Sequence, residues 1–199
     1  MAVIDGPEPL RLGAVVLAGG TAARMGGVDK SAIELDGVTL LERALAATLS
    51  AVEVVVVGEQ VPTTRSVTWT VEDPPRGGPA AGLLAGLDRF LVIPDLVAVL
   101  AVDMPRVTAG TVARLTAAVG SDPGLDGAVL VDETGRRQTL AAVYRHHALS
   151  AARPADPEHQ HGLPMRRLVD PMRLAEVPAV DEETRDVDTW ADVRDLRQS

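Results

Sequence analysis

The sequence predicts an α/β protein: a three-layer, mostly parallel, Rossmann-like sheet with helices on both faces and one small antiparallel hairpin. Three observations predict it. Short apolar runs alternate with helix-period segments through the first two thirds of the chain, the pattern of parallel strands joined by helical crossovers. Two runs, residues 12–18 (LGAVVLA) and 96–102 (LVAVLAV), are apolar at every position, as strands covered on both faces must be. Polar residues cluster just after such runs, where ligands sit in open α/β sheets.

The elements follow in order. Residues 12–18 form the first strand, stopped by Gly19 and Gly20. Residues 39–51 place Leu40, Leu41, Ala44, Leu45, Thr48 and Leu49 at helical spacing. Residues 52–57 (VEVVVV) are rich in β-branched side chains and read as the second strand, and 67–71 as a weaker third. A Gly/Pro-rich loop leads into a helix over 79–90. The strand over 96–102 is followed by Thr108, an N-cap for a helix reaching about 119. Residues 127–131 and 138–144 flank a Glu-Thr-Gly turn and predict the hairpin. A helix over 145–153, a mobile polar loop over 154–162, a short helix over 164–169, a strand over 172–177 and a helix over 188–196 complete the chain. Residues 1–11 read as a flexible tail and 12–199 as one domain.

Composition narrows the function. The formal net charge is −9, and Phe90, Tyr144, Trp69 and Trp190 are the only aromatics. Neither property suits a nucleic-acid binder, which wants cationic grooves and stacking platforms. Cysteine is absent, so thiol nucleophiles, disulfides and zinc–thiolate sites are excluded, in keeping with a reducing compartment. No apolar run approaches the roughly 18 residues of a membrane span. The start of the chain, with Asp5, Glu8 and two prolines, lacks a signal-peptide pattern. The expectation is a cytoplasmic protein with no nucleic-acid or membrane partner.

The richest segment is residues 17–30, LAGGTAARMGGVDK. Four glycines let exposed amides line an anion-binding concavity, and Arg24 and Lys30 add positive charge for phosphates. It is neither GxxxxGK[ST] nor GxGxxG: Val28 and Asp29 intervene before Lys30, and Gly19 abuts Gly20. A nicotinamide-dinucleotide oxidoreductase is therefore disfavoured. Composition alone leaves an ordinary glycine-rich connection open.

LAGG at residues 17–20 followed by RMGGVDK at 24–30 resembles the nucleotidyltransferases related to molybdenum cofactor guanylyltransferase, whose fold is of the nucleotide-diphospho-sugar transferase type. The resemblance implies that base and ribose lie along Leu17, Ala18 and Gly19, with Gly20 completing the nucleotide loop. It also implies that Arg24 and Lys30 bind the phosphates. AVDMP at residues 101–105 is similar to the family's metal-binding pattern, which makes Asp103 the principal Mg²⁺ ligand; taken alone, Asp103 also reads as a capping carboxylate. Asp73, in an ED pair ahead of GGPAAG, would accept hydrogen bonds from the base or ribose, or serve only as a turn residue before Pro74.

DVDTWADV at residues 186–193 is similar to the family's closing Asn-x-Asn-Thr-Pro motif, with aspartates for both asparagines and Trp190 for the proline. Asp188 is either an N-cap or a second metal ligand. Arg166 and Arg167 are placed by the same resemblance beside an acceptor phosphate, whereas His159 and His161 have no metal-ligand pattern.

The resemblance implies a Mg²⁺-dependent transfer of GMP from GTP to the phosphate of molybdopterin cofactor, releasing pyrophosphate, with a molybdoenzyme or delivery protein as a possible further partner. The aspartate exchanges keep CTP open, hence a molybdenum cofactor cytidylyltransferase or a sugar-phosphate nucleotidyltransferase. A non-catalytic nucleotide binder is a third reading, disfavoured by retention of both Lys30 and Asp103.

Overall fold

A computed structural model describes residues 10–19, 21–22 and 28–197. The first strand, β1 (Leu12–Leu17), is buried at all six positions. Two short antiparallel pairs come next: β2 (Thr21–Ala22) with β3 (Val28–Asp29), and β4 (Glu34–Leu35) with β5 (Val38–Thr39). Helix α1 (Leu40–Ala47) starts at Thr39, whose hydroxyl accepts from the Glu42 N–H at 3.1 Å. It ends four residues before the predicted boundary, where Thr48 turns its hydroxyl back onto the Leu45 carbonyl.

Strands β6 (Glu53–Val57) and β7 (Thr68–Thr70) extend the sheet on one side of β1, and helix α2 (Gly78–Leu87) returns across it. A Cβ at Gly86 would lie 2.7 Å from Cγ1 of Val15, so this glycine lets α2 seat directly on β1. Strand β8 (Leu96–Ala101) pairs parallel to β1 on its other side. Helix α3 (Ala109–Ser121) opens with the expected Thr108 cap, in a reciprocal box with Thr111.

The predicted hairpin is β9 (Gly127–Val131) and β10 (Arg137–Arg145), with β10 antiparallel to both β9 and β8. Helix α4 (His146–Ala152) follows directly. The polar loop after it contains a single 3₁₀ turn, Pro157–Gln160, and is tied down where the Gly162 N–H donates to the Gly77 carbonyl at 2.8 Å. Helix α5 (Met165–Val169), strand β11 (Leu174–Pro178) and helix α6 (Trp190–Leu196) finish the fold. The predicted tail reaches Arg11, but Arg11 is bonded: its N–H donates to Asp95 at 2.8 Å. Residues 1–9 lie outside the described residues.

The seven-stranded sheet has the order β11-β9-β10-β8-β1-β6-β7, parallel except where β10 meets its neighbours. Successive residues of β1 alternate between two cores. Ala14 and Val16 pack with α1, α3 and α6, whereas Val15 and Leu17 pack with α2, α4 and α5. Each fully buried Val or Leu there contributes roughly 1.5–3 kcal/mol. The order reverses between β1 and β8, so a crevice opens beyond the carboxyl ends of these two strands.

Candidate functional site

That crevice is a cleft of about 550 Å³. Leu17, Ala18 and Gly19 line it, and the backbone N–H groups of Ala18 and Gly19 both donate to the Val57 carbonyl at 2.9 Å. These amides are consumed by the sheet. The described part of the loop therefore offers shape to a ligand more than free donors. Gly20 and Arg24, expected to complete the phosphate grip, lie outside the described residues.

Lys30 and Asp103 line the same cleft. Lys30 opens a short 3₁₀ turn (Lys30–Ala32) capped by the Asp29 carboxylate, which accepts from the Ser31 N–H at 2.9 Å. Asp103 follows β8. The Lys30 ammonium lies 3.1 Å from one Asp103 oxygen and 2.7 Å from one Asp188 oxygen. Residues 73 and 158 positions away from Lys30 thus meet on one nitrogen. Burial lowers the Lys30 pKa, but the hydrogen bond to Asp188 and the charge of Asp103 outweigh it and hold the pKa above its ordinary value.

Asp188 has no capping duty. Thr189 is the N-cap of α6 and forms a reciprocal box with Asp192, leaving the Asp188 carboxylate to Lys30. Asp186 belongs to the same cluster. Partial burial, then the like charges of Asp103 and Asp188, push its carboxyl up to about 6. Alternation explains the pairing: between the two aspartates, Val187 is 1% exposed and packs into the core. The segment is fixed behind by Glu183, which is 4% exposed. Its carboxylate accepts from the Thr111 hydroxyl, from Arg114 at 2.6 Å and from the Val180 N–H at 2.9 Å.

The other expected residues fall differently. Glu72, not Asp73, lines the cleft, together with Arg76, Gly78, Pro79 and Gly82. Asp73 lines a second pocket of about 120 Å³, which Glu72 also borders. Glu72 is fixed by the Arg76 N–H, which donates to its Oε1 at 3.0 Å. Arg166 and Arg167 are exposed on α5 and do not line the cleft. Neither Glu72, Glu183 nor Asp186 was assigned a role from sequence; the ED pair and the DVD triplet were the available signals for the first and last.

Two hard oxygen donors meeting at one point suit Mg²⁺, which takes one or two protein carboxylates and completes its shell with phosphate oxygens and water. No group of three or more His, Asp or Glu among the described residues is arranged to hold a metal by itself. The donor set fits an ion that arrives with a phosphate ligand.

Lys30 thus carries two carboxylates, with a third close enough to be perturbed by them, at one side of the cleft. The fold is shared with solved structures: the chain aligns over 93% of its length with molybdopterin-guanine dinucleotide biosynthesis protein A of Archaeoglobus fulgidus, covering 96% of that chain with a TM-score of 0.70 at 20% identity. It aligns over 95% with 2-C-methyl-D-erythritol 4-phosphate cytidylyltransferase of Thermus thermophilus, covering 98% of that chain with a TM-score of 0.64 at 19% identity. Residues 14–177 match the MobA-like NTP transferase domain, and the chain belongs to that family.

Among curated relatives, a molybdenum cofactor guanylyltransferase of a Shewanella species (strain MR-4) is 31% identical over 139 residues, 65% of this chain and 66% of the relative. One of Acidiphilium cryptum is 38% identical over 119 residues, 56% and 60% respectively. The matches span 66% and 60% of these relatives' own length.

Proposed function

We propose that the protein transfers GMP from GTP to the phosphate of molybdopterin cofactor and releases pyrophosphate. The observation that carries the proposal is the convergence of Asp103 and Asp188 on Lys30, which lines the cleft with Asp103. Support comes also from the family and from the name borne by both curated relatives.

A phosphate oxygen of the acceptor attacks the α-phosphorus, a new P–O bond forms, and the bond to the bridging oxygen of the pyrophosphate breaks. A phosphate monoester has a second pKa near 6, so at neutral pH it is mostly the dianion and needs no general base. The residues at the site then have two tasks, to position the reactants and to offset charge. Lys30 lines the cleft and would face the phosphates, and Leu17 to Gly19 would support the nucleoside. Asp103 and Asp188 would hold Mg²⁺, which when bound offsets charge on the triphosphate.

The test is pyrophosphate release measured with each of the four triphosphates and molybdopterin cofactor. Release with GTP at least tenfold faster than with CTP is expected. Release with CTP alone would move the assignment to a cytidylyltransferase, and release with none would refute the reaction.

A further inference from the structure

We propose that Glu72 selects the base: its carboxylate reads the Watson–Crick edge of guanine and turns cytosine away. The inference rests on the transfer reaction proposed above and names the residue that chooses its nucleotide. Among the described residues lining the cleft, the carboxylates are Glu72 and Asp103. Asp103 meets Lys30 just beyond β8, whereas Glu72 follows β7. Those strands lie three places apart in the sheet, roughly 14 Å at the usual spacing. Leu17 and Val57, on β1 and β6, come between them. With the phosphates at Lys30 and the nucleoside over Leu17 to Gly19, the base is carried toward Glu72.

The carboxylate is held at one oxygen and spare at the other. Glu72 Oε1 accepts from the Arg76 N–H at 3.0 Å, and Arg76 adopts a left-handed backbone with φ of 65°. That conformation is costly for a residue other than glycine and persists only where its surroundings fix it. Oε2 has no hydrogen-bond partner among the described residues. It lies 4.0 Å from the point where a Cβ on Gly82 would stand, a point 3.4 Å from both Leu17 Cδ2 and Val57 Cγ1. A fixed acceptor set beside an apolar wall suits the edge of a flat ring, the wall taking the ring and the acceptor its orientation. The sign of the acceptor chooses the ring. A carboxylate only accepts hydrogen bonds. Guanine sets two donors side by side, N1–H and the 2-amino group, and one carboxylate can take both. Cytosine presents the lone pairs of N3 and O2 beside a single amino group, so the same oxygens repel it.

Calorimetric titration of GTP, ITP and CTP, each with Mg²⁺ and without acceptor, tests the role of Glu72. ITP keeps the N1–H of guanine and lacks its 2-amino group. The wild type is expected to bind GTP roughly tenfold tighter than either, the factor that one hydrogen bond to a charged group supplies. Glu72→Gln keeps a carbonyl oxygen for the Arg76 N–H but sets an amide donor against the base. It should melt like wild type and bind GTP and ITP within about twofold of each other. A carboxylate that only braced the loop would weaken both nucleotides by one factor and leave their ratio unchanged. A wild-type ratio retained in Glu72→Gln therefore overturns the selection, as does equal affinity of the wild type for GTP and ITP, which needs no variant. Neither result touches the transfer reaction, which pyrophosphate release with GTP and molybdopterin cofactor reports separately. Tighter binding of CTP than of GTP would overturn the selection and the choice of GTP together.

Discussion

The backbone N–H of Val187 donates to the carbonyl oxygen of Asp103 at 2.8 Å. That single bond stitches the C-terminal segment to the end of β8. With Val187 buried, its two aspartate neighbours are held beside Asp103 and Lys30. The site is therefore assembled from three distant stretches: the loop after β1, the end of β8, and residues 186–188.

Glu183 anchors the third stretch, and its removal should show as lost stability. Glu183→Ala leaves Arg114 and Thr111 without their carboxylate, a loss of about 1–3 kcal/mol, at the lower part of the range because Arg114 is partly exposed. Burial raises the Glu183 pKa, but the bonds from Arg114, Thr111 and Val180 outweigh it and hold the pKa below its ordinary value. The stabilisation is present above the unfolded-state pKa and disappears as pH falls through the folded value. Denaturant melts at pH 7 and pH 3 should show the wild-type and Glu183→Ala midpoints converging in acid. A constant gap would exclude this carboxylate as the cause.

Glu72 rather than Asp73 should govern nucleotide binding. Glu72→Gln is expected to change the dissociation constant for GTP several-fold, because only this carboxylate of the pair faces the cleft. Asp73→Asn should stay within about twofold of wild type. Calorimetric titration of both variants checks the order, and the reverse order would return the role to Asp73.

Close seating of α2 on β1 should make Gly86 intolerant of a side chain. Gly86→Ala puts a methyl carbon 2.7 Å from Val15 Cγ1, an overpacking cost of about 1–3 kcal/mol that outweighs the helix-propensity gain of about 1 kcal/mol. Thermal melts should place the variant below wild type. A higher melting temperature would mean the layers separate easily.

Much of this was legible in the sequence for a physical reason. Continuous apolar runs at residues 12–17 and 96–101 admit little but doubly covered strands, and Thr108 signals its helix by chemistry local to a few residues. Lys30 and Asp103 stand out because each follows such a signal. What was hidden depends on long-range packing. The β4–β5 pair is two residues per strand, too short to carry a period. Glu183 has its side-chain partners 69 and 72 residues away. Which of Glu72 and Asp73 faces the cleft, and whether Asp188 or Thr189 caps α6, are matters of side-chain direction that residue type does not fix.

Asp103 should be separable from the fold. Its carboxylate is partly exposed and, among the described residues, meets only the Lys30 side chain in hydrogen bonds, so Asp103→Ala should fold like wild type while pyrophosphate release falls by roughly 10²-fold or more. Release above a tenth of the wild-type rate in Mg²⁺ would remove Asp103 from the proposed chemistry.

The most direct measurement is GTP affinity in the presence of Mg²⁺ for wild type and Lys30→Met, a substitution that keeps an unbranched side chain one atom shorter and removes the charge. The expected result is saturable binding to wild type, weakened by at least about tenfold in the variant. Equal affinity in the two proteins would contradict a triphosphate held at the Lys30–Asp103–Asp188 cluster.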